Sequence, residues 1–246
     1  MNQELQIFLI NLDASEARLQ SSSNQLASMG LGFERISAVN GGALSEAELN
    51  EYYSCEKNLR EYYKPLTPGE IGCYLSHRKA WQSIVDRRLP YALILEDDFN
   101  IQTDLSVVDH FLSLDCSFDY IKLSNYQNRE RKVKIVKSIG KGCVVRFSKI
   151  PAGTCAQIVS YEGAKKLLES SQSFGRPVDV DIQYWWERNI EVIGLVPFPF
   201  SPKTDIASDI TQVQNRKHVK KRRFRRLLHQ FTFKYKNYLK SRAYSR

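Results

Sequence analysis

No apolar run in the 246-residue sequence approaches the roughly 18 to 20 residues that a membrane-spanning helix requires; the longest lie near Ile7–Ile10 and Tyr91–Leu95. A chain that does not cross a membrane is expected. The N-terminus carries Glu4 where a secretory leader has Lys or Arg, and the first apolar residues run into Asp13 with no small-residue cleavage site, so the expected location is cytoplasmic. Cysteine is scarce and unpatterned. Cys55, Cys73, Cys116, Cys143 and Cys155 are odd in number and form no C-x-x-C pair, which indicates neither a disulfide framework nor a zinc site. Internal repeats and low-complexity blocks are also lacking. What remains, 42% hydrophobic and 26% charged residues, is the composition of a globular chain, long enough to bury a core without staples.

Acidic residues vanish after Asp209. Residues 1–209 hold 23 basic and 27 acidic side chains, a balance of −4, whereas residues 210–246 hold 13 basic and none acidic. The net charge of +9 therefore describes two electrostatic objects, a domain over 1–209 and a basic tail over 210–246.

Within the domain, apolar strand-like runs alternate with helical stretches. Residues 6–10 read as a strand, 13–29 as a helix ending at Gly30, and 33–39 as a second strand, followed by the turn Asn40-Gly41-Gly42 and a polar helix over 45–53. That order implies parallel pairing. Thr67-Pro68-Gly69-Glu70 opens a helix reaching about Arg87: Thr67 caps it, Pro68 takes the first helical position, and Glu70 reaches back to the cap N–H. Leu75, Trp81, Ile84 and Val85 are expected on its buried side. Pro90 precedes Tyr91-Ala-Leu-Ile-Leu95, an unbroken apolar run typical of a strand covered on both faces. Beyond it the pattern predicts a helix over 103–114, a strand over 120–123, and a hairpin of 132–138 and 143–147 around Gly140-Lys141-Gly142. A strand over 155–159, a helix over 160–170, a short helix over 179–188 capped by Asp179, and a strand over 192–196 before a proline-rich loop complete the prediction.

The run at 91–95 stops at Glu96-Asp97-Asp98. Three carboxylates at the end of a buried strand repel one another unless a cation compensates, and in open α/β sheets that strand end is where ligands sit. Hard oxygen ligands so arranged suit Mg²⁺ or Mn²⁺ bridging to a diphosphate. Taken alone, a solvated turn with one helix-capping Asp explains the triplet equally well.

The neighbouring segments weigh on that choice. The string LTPGEIGCYLSHRKAW followed by ALILEDD resembles the glycosyltransferase family 25 pattern of lipopolysaccharide and lipooligosaccharide biosynthesis enzymes. So do the opening IFLINLDASEAR, SAVNG behind it, and the later AGTCAQIVSYEGAKKLL and RPVDVDIQYWW, in the family's order over about residues 7–201. The resemblance implies an α/β fold, a GT-A-like Rossmann-type mixed sheet flanked by helices. It also implies a UDP-sugar donor, usually UDP-galactose, and inverting transfer that leaves a β-linkage. The triplet then stands where such enzymes carry a D-x-D motif. Its first member is Glu96 rather than Asp, so Asp98 is expected as the direct ligand of Mn²⁺ or Mg²⁺. Glu96 would act through water or on the ribose, and Asp97 would be a second ligand if a turn directs it inward.

The remaining site expectations follow from position and resemblance together. Asn11 closes the first strand and Arg18 lies about two helical turns on, which could set a cation near the nucleotide; Ala38 and Asn40 close the second strand at the same sheet edge. His77, inside the L-S-H string, is expected as a donor contact, although a lone helical His is usually a satisfied structural group. Gly153 and Thr154 are expected to shape the donor-sugar pocket. An inverting transfer needs a base for the acceptor hydroxyl. Asp181 is favoured and Asp179 is its rival, because Asp179 can serve as a helix cap. Of Trp185 and Trp186, adjacent and so about 100° apart on a helix, one is expected in the core and the other lining an acceptor cleft.

In the tail, Phe224, Leu227, Leu228, Phe231, Tyr235, Tyr238 and Leu239 recur at helical spacing, with Lys220, Lys221, Arg222, Arg223, Arg225 and Arg226 before or beside them. Such a basic amphipathic helix suits an anionic membrane surface, each basic residue adding about 1 kcal/mol. A helix packed on the domain with a solvated basic face is the alternative. The expectation is a peripheral galactosyltransferase on the cytoplasmic face of the inner membrane, acting on a lipid-linked oligosaccharide. Rival readings are a UDP-glucose enzyme of the same pathway, a nucleotidyltransferase or phosphohydrolase using the same carboxylates, and a polyanion or nucleic-acid binder working through the tail. The −4 domain argues against nucleic acid as the main substrate.

Overall fold

The computed structural model describes residues 5–114, 116–125, 131–203 and 223–243. The expected junction after Asp209, together with Lys220, Lys221 and Arg222, lies outside the described residues. The chain opens as predicted, with β1 (Ile7–Asn11), α1 (Glu16–Ser28) and β2 (Glu34–Ser37), then α2 (Glu46–Tyr52), capped by Ser45. A second short helix, α3 (Cys55–Glu61), follows where no helix was expected; Ser54 caps it through the amide of Lys57. Helix α4 (Pro68–Asp86) starts at the predicted capping box: Thr67 Oγ1 accepts from the Glu70 amide at 3.2 Å, and the Thr67 amide donates to Glu70 Oε2 at 2.9 Å. Trp81 and Ile84 are fully buried on α4, whereas Leu75 and Val85 are only partly covered.

Strand β3 (Tyr91–Glu96) leads into β4 (Phe99–Ile101), α5 (Ser106–Leu112) and β5 (Tyr120–Lys122). The hairpin forms from β6 (Val133–Ile139) and β7 (Gly142–Phe147), with Gly140 at φ +50° in its turn, a conformation that costs glycine little. Then come β8 (Ala156–Ser160), α6 (Tyr161–Ser170), α7 (Val178–Gln183), α8 (Trp185–Arg188), β9 (Val192–Val196), β10 (Phe200–Pro202) and α9 (Arg223–Ala243). Two local expectations are corrected. The helix expected over 179–188 breaks at Tyr184 into α7 and α8, and Pro177 rather than Asp179 holds the N-cap position. The proline-rich loop contains β10, which pairs antiparallel with β4.

Eight strands form one mixed sheet in the order β2-β1-β3-β8-β5-β9-β7-β6. β1 is parallel to both β2 and β3, whereas β8 enters antiparallel between β3 and β5. Helices cover both faces, as the alternation of β1 requires. Phe8 and Ile10 join Trp81, Ile84 and Ala164 on the side of α4 and α6, while Ile7 and Leu9 join Leu26, Val108 and Phe111 on the side of α1 and α5. From β1 the chain crosses to β2 on one side and, by way of α4, to β3 on the other. This leaves a crevice at the carboxyl ends of β1 and β3.

Candidate active site

That crevice is a cleft of about 110 Å³. Among its lining residues are Asn11 and Arg18, Ala38 and Asn40, His77, and the triplet Glu96, Asp97 and Asp98, so eight residues singled out from sequence meet in one place. Its upper wall is fixed by close backbone approach. A Cβ on Gly72 of α4 would lie 2.4 Å from the Val39 carbonyl oxygen, so only glycine lets the helix touch the loop after β2. Ser76 pins the same contact, accepting from the Val39 amide at 2.8 Å and donating to the Gly72 carbonyl at 2.7 Å.

The three carboxylates have different surroundings. Asp97 is ion-paired with Arg18 and accepts from Asn11 Nδ2 at 2.6 Å. Asn11 is itself fully committed, donating also to the Ser15 carbonyl and accepting from Arg35 Nε. Glu96 is drawn to the opposite wall, where Oε1 accepts from His77 Nε2 at 2.8 Å and from Thr154 Oγ1. Burial pushes the Glu96 carboxyl up, but the bonds from His77 and Thr154 and the charge of Lys122 outweigh it and hold it below the usual range.

Asp98 differs from both. Its Oδ1 is buried with no hydrogen-bond partner among the described residues. Burial and then the charge of Glu96 push its carboxyl up to about 7, with Arg18 opposing. The turn that carries it is anchored from behind, because the Asp98 carbonyl accepts from the Lys203 amide at 2.6 Å, beyond β10. An unpartnered buried carboxylate oxygen in an acid-lined cleft is the donor chemistry a divalent cation requires, so Asp98 fits the expected Mn²⁺ or Mg²⁺ site. Cys73, His77 and Glu96 also bring ligand atoms within 4.8 Å of one another, but both ring nitrogens of His77 are already used.

His77 thus lines the cleft with both ring nitrogens engaged, Nε2 toward Glu96 and Nδ1 toward Gln157. Tyr120 Oη donates to Gln157 Oε1, which leaves Gln157 Nε2 to donate to His77 Nδ1 at 3.0 Å. The proton then sits on Nε2 and points at Glu96. Sequence reading missed this relay, and it missed Lys122. A lysine inside the apolar strand Tyr120–Lys122 was the available signal, since buried lysines need a reason. Lys122 Nζ donates to the Gly153 carbonyl, and burial pulls its ammonium down to about 8 against the charges of Asp179, Cys155 and Glu96.

Antiparallel β8 begins at the cleft end of β3, which delivers Gly153 and Thr154 to the site. The Gly153 amide donates to Asp179 Oδ2 at 3.0 Å, so one short loop joins Glu96 to Asp179. Asp179 is partly exposed. It also belongs to the field of the cleft acids: the Cys73 thiol is pushed well up by burial first, then by Glu96, Asp179 and Asp98. Asp181 is held elsewhere. Only 1% exposed, it accepts from Tyr74 Oη at 2.6 Å, Arg176 Nη1 at 3.1 Å and Arg188 Nη2 at 2.6 Å. Trp185 packs against the core and lines a separate cavity behind the β6–β7 hairpin, whereas Trp186 rests on Tyr184 and on Phe233 of α9. Neither indole lines the cleft.

Comparison with known proteins matches these features to a family. Human procollagen galactosyltransferase 2 is 30% identical over 186 residues, covering 72% of this chain and 29% of its own length. A mouse protein named inactive glycosyltransferase 25 family member 3 is 26% identical over 222 residues, covering 80% of this chain and 36% of its own. The chain thus spans about a third of the length of these relatives. The crystal structure of a glycosyltransferase involved in the glycosylation of the major capsid of PBCV-1 aligns with a TM-score of 0.46 at 10% identity, covering 86% of this chain and 97% of that one. The model of glycosyltransferase family 25, described as an LPS biosynthesis protein, matches residues 4–182, and the chain belongs to that family.

Proposed function

We propose that the protein is an inverting, metal-dependent galactosyltransferase that moves galactose from UDP-galactose to a lipid-linked oligosaccharide of lipopolysaccharide or lipooligosaccharide type. Membership alone does not carry activity, since one relative is named inactive. The observation that carries the reading is the unpartnered buried Oδ1 of Asp98, at the sheet edge where α/β proteins bind phosphorylated ligands. Galactose is favoured by the names of the relatives, and the acceptor class by the family description.

In this reading Asp98 holds Mn²⁺ or Mg²⁺, and the chemistry such an ion supplies is neutralisation of the departing diphosphate. The protein's own residues do the rest. Asp97 holds Arg18 at the cleft and is not assigned to the metal; Arg18 faces the diphosphate, and the backbone of Ala38 and Asn40 borders the uridine. Glu96, oriented by His77 and Thr154, contacts the donor sugar or ribose. Asp179 is the base: its carboxylate takes the proton of the acceptor hydroxyl as that oxygen bonds to the anomeric carbon and the carbon–oxygen bond to the diphosphate breaks. Asp181 is not given this role, because three donors occupy its carboxylate.

The reading extends to location. Among the described residues no helix is long and apolar enough to cross a membrane. α9 leaves its apolar stripe exposed, with Phe231 74% accessible, which supports peripheral docking at the anionic cytoplasmic face of the inner membrane. The test of function is a screen of UDP-sugars with and without Mn²⁺ against a glucose-terminated or lactose-like acceptor, read as UDP release. Acceptor- and Mn²⁺-dependent release from UDP-galactose is expected. Preference for UDP-glucose would move the enzyme to the neighbouring specificity, and release that ignores the acceptor would indicate a nucleotide hydrolase.

A further inference from the structure

The 19 residues from Arg131 to Lys149, which include the β6–β7 hairpin, carry seven basic side chains and no acidic one. This second all-basic segment is hidden within the −4 balance of the domain. The fold sets it against the basic helix α9. Asn237 Nδ2 donates to the Ser148 carbonyl at 2.6 Å, Lys149 Nζ lies 4.9 Å from the centre of the Phe233 ring, and Ser241 shares with Lys132, Val133 and Trp185 the lining of a cavity of about 440 Å³. Gathering like charges costs free energy. Lys149 registers the cost: burial lowers its ammonium, and so do the charges of Arg131 and Lys234. Glu191, which borders the cavity, is paired with Arg146, and Glu61 and Glu187, near the other end of α9, are drawn to Arg176. These neighbouring acids are therefore already engaged.

Apolar exposure gathers in the same place. The large hydrophobic side chains left exposed among the described residues are Val133, Ile135 and Val136 of β6, the stripe of α9, and Leu59, whose carbonyl accepts from Arg225 of α9. β6 is also one of the two edge strands of the sheet. Basic side chains around exposed valine, isoleucine and aromatic groups complement a surface that is anionic outside and apolar beneath.

We infer that the β6–β7 hairpin is the second half of the membrane-docking face, with Lys132, Lys134 and Lys137 meeting anionic headgroups and Val133, Ile135 and Val136 entering the interface beside α9. This inference rests on the proposed membrane role of α9 and adds to it a partner-binding element inside the catalytic domain. A two-part contact would fix the orientation of the cleft above the bilayer.

The test is co-sedimentation of the full chain with phosphatidylcholine vesicles, with and without phosphatidylglycerol. It compares the wild type with a lysine triple (Lys132→Gln, Lys134→Gln, Lys137→Gln), an apolar triple (Val133→Ser, Ile135→Ser, Val136→Ser) and a helix double (Phe224→Ser, Phe231→Ser). All the substituted side chains are exposed, so thermal melts should match the wild type. The wild type should pellet only with phosphatidylglycerol, and each hairpin triple should weaken binding at least about tenfold. Wild-type binding by both hairpin triples alongside loss in the helix double would overturn the inference and leave the role of α9 standing. No binding by the wild type would remove both. A dimer in light scattering that the apolar triple converts to monomer, with vesicle binding unchanged, would show that the β6 edge pairs with a second copy. Tighter binding to duplex DNA than to vesicles, lost in the lysine triple, would make the patch a nucleic-acid site; either result overturns the inference.

Discussion

Asp98→Asn should lower acceptor-dependent UDP release by at least about 10²- to 10³-fold, the scale expected when a charge that stabilises a leaving group is lost from a preorganised site. The shape of the side chain is retained and its charge is not. The folded state should not suffer, because the wild-type oxygen makes no hydrogen bond among the described residues and its carboxylate is held in an unfavourable setting by burial and by Glu96. Removing a charge that burial and a neighbouring carboxylate disfavour should leave the stability unchanged or higher. The paired measurement is turnover together with a metal-free thermal melt. Lost turnover with an unchanged or higher melting temperature is the expected outcome; unchanged turnover would remove Asp98 from the metal site.

The two candidate bases should separate just as widely. Asp179→Asn is expected to keep the fold, since Asp179 is partly exposed and accepts from the backbone amides of Gly153 and Val180, and to abolish transfer. Asp181→Ala is expected to lower stability by about 3 to 5 kcal/mol, because it strands Arg188 as a buried cation, takes one carboxylate from Arg176, which keeps Glu187 and Glu61, and leaves Tyr74 Oη without its acceptor. Chemical denaturation with turnover at a temperature where both variants are folded separates the cases. A stable Asp181→Ala protein without activity, next to an active Asp179→Asn protein, would reverse the assignment.

What the sequence made legible was whatever local chemistry decides. The capping box at Thr67 and Glu70, the covered strand Tyr91–Glu96 and the glycine turn of the hairpin each carry their own signature, and each forms where expected. The cleft was legible for the same reason, since its residues sit just beyond or at the carboxyl ends of β1, β2 and β3 or on α1 and α4. Non-local pairing was not. Nothing local to the strand over 155–159 says that it inserts antiparallel between β3 and β5, yet that placement brings Thr154 to Glu96 and Gly153 to Asp179. Sequence favoured Asp181 over Asp179, and the contact that most engages Asp181, the hydrogen bond from the distant Tyr74, has no local signature.

The tail shows a related limit. Helical spacing finds the apolar stripe of α9, but it does not say which side docks. Phe233, off that stripe and 6% exposed, is the residue that seats against Tyr184 and Trp186, and the stripe itself is left outward. The basic character of the hairpin escaped notice for a different reason: it disappears when charge is summed over a long segment.

The most direct measurement is a crystal structure with UDP and Mn²⁺, using anomalous scattering to locate the metal. A manganese peak within coordination distance of Asp98, with the diphosphate facing Arg18 in the crevice between β1 and β3, is the predicted result. A nucleotide bound away from those strand ends, or a metal that leaves Asp98 untouched, would contradict the account.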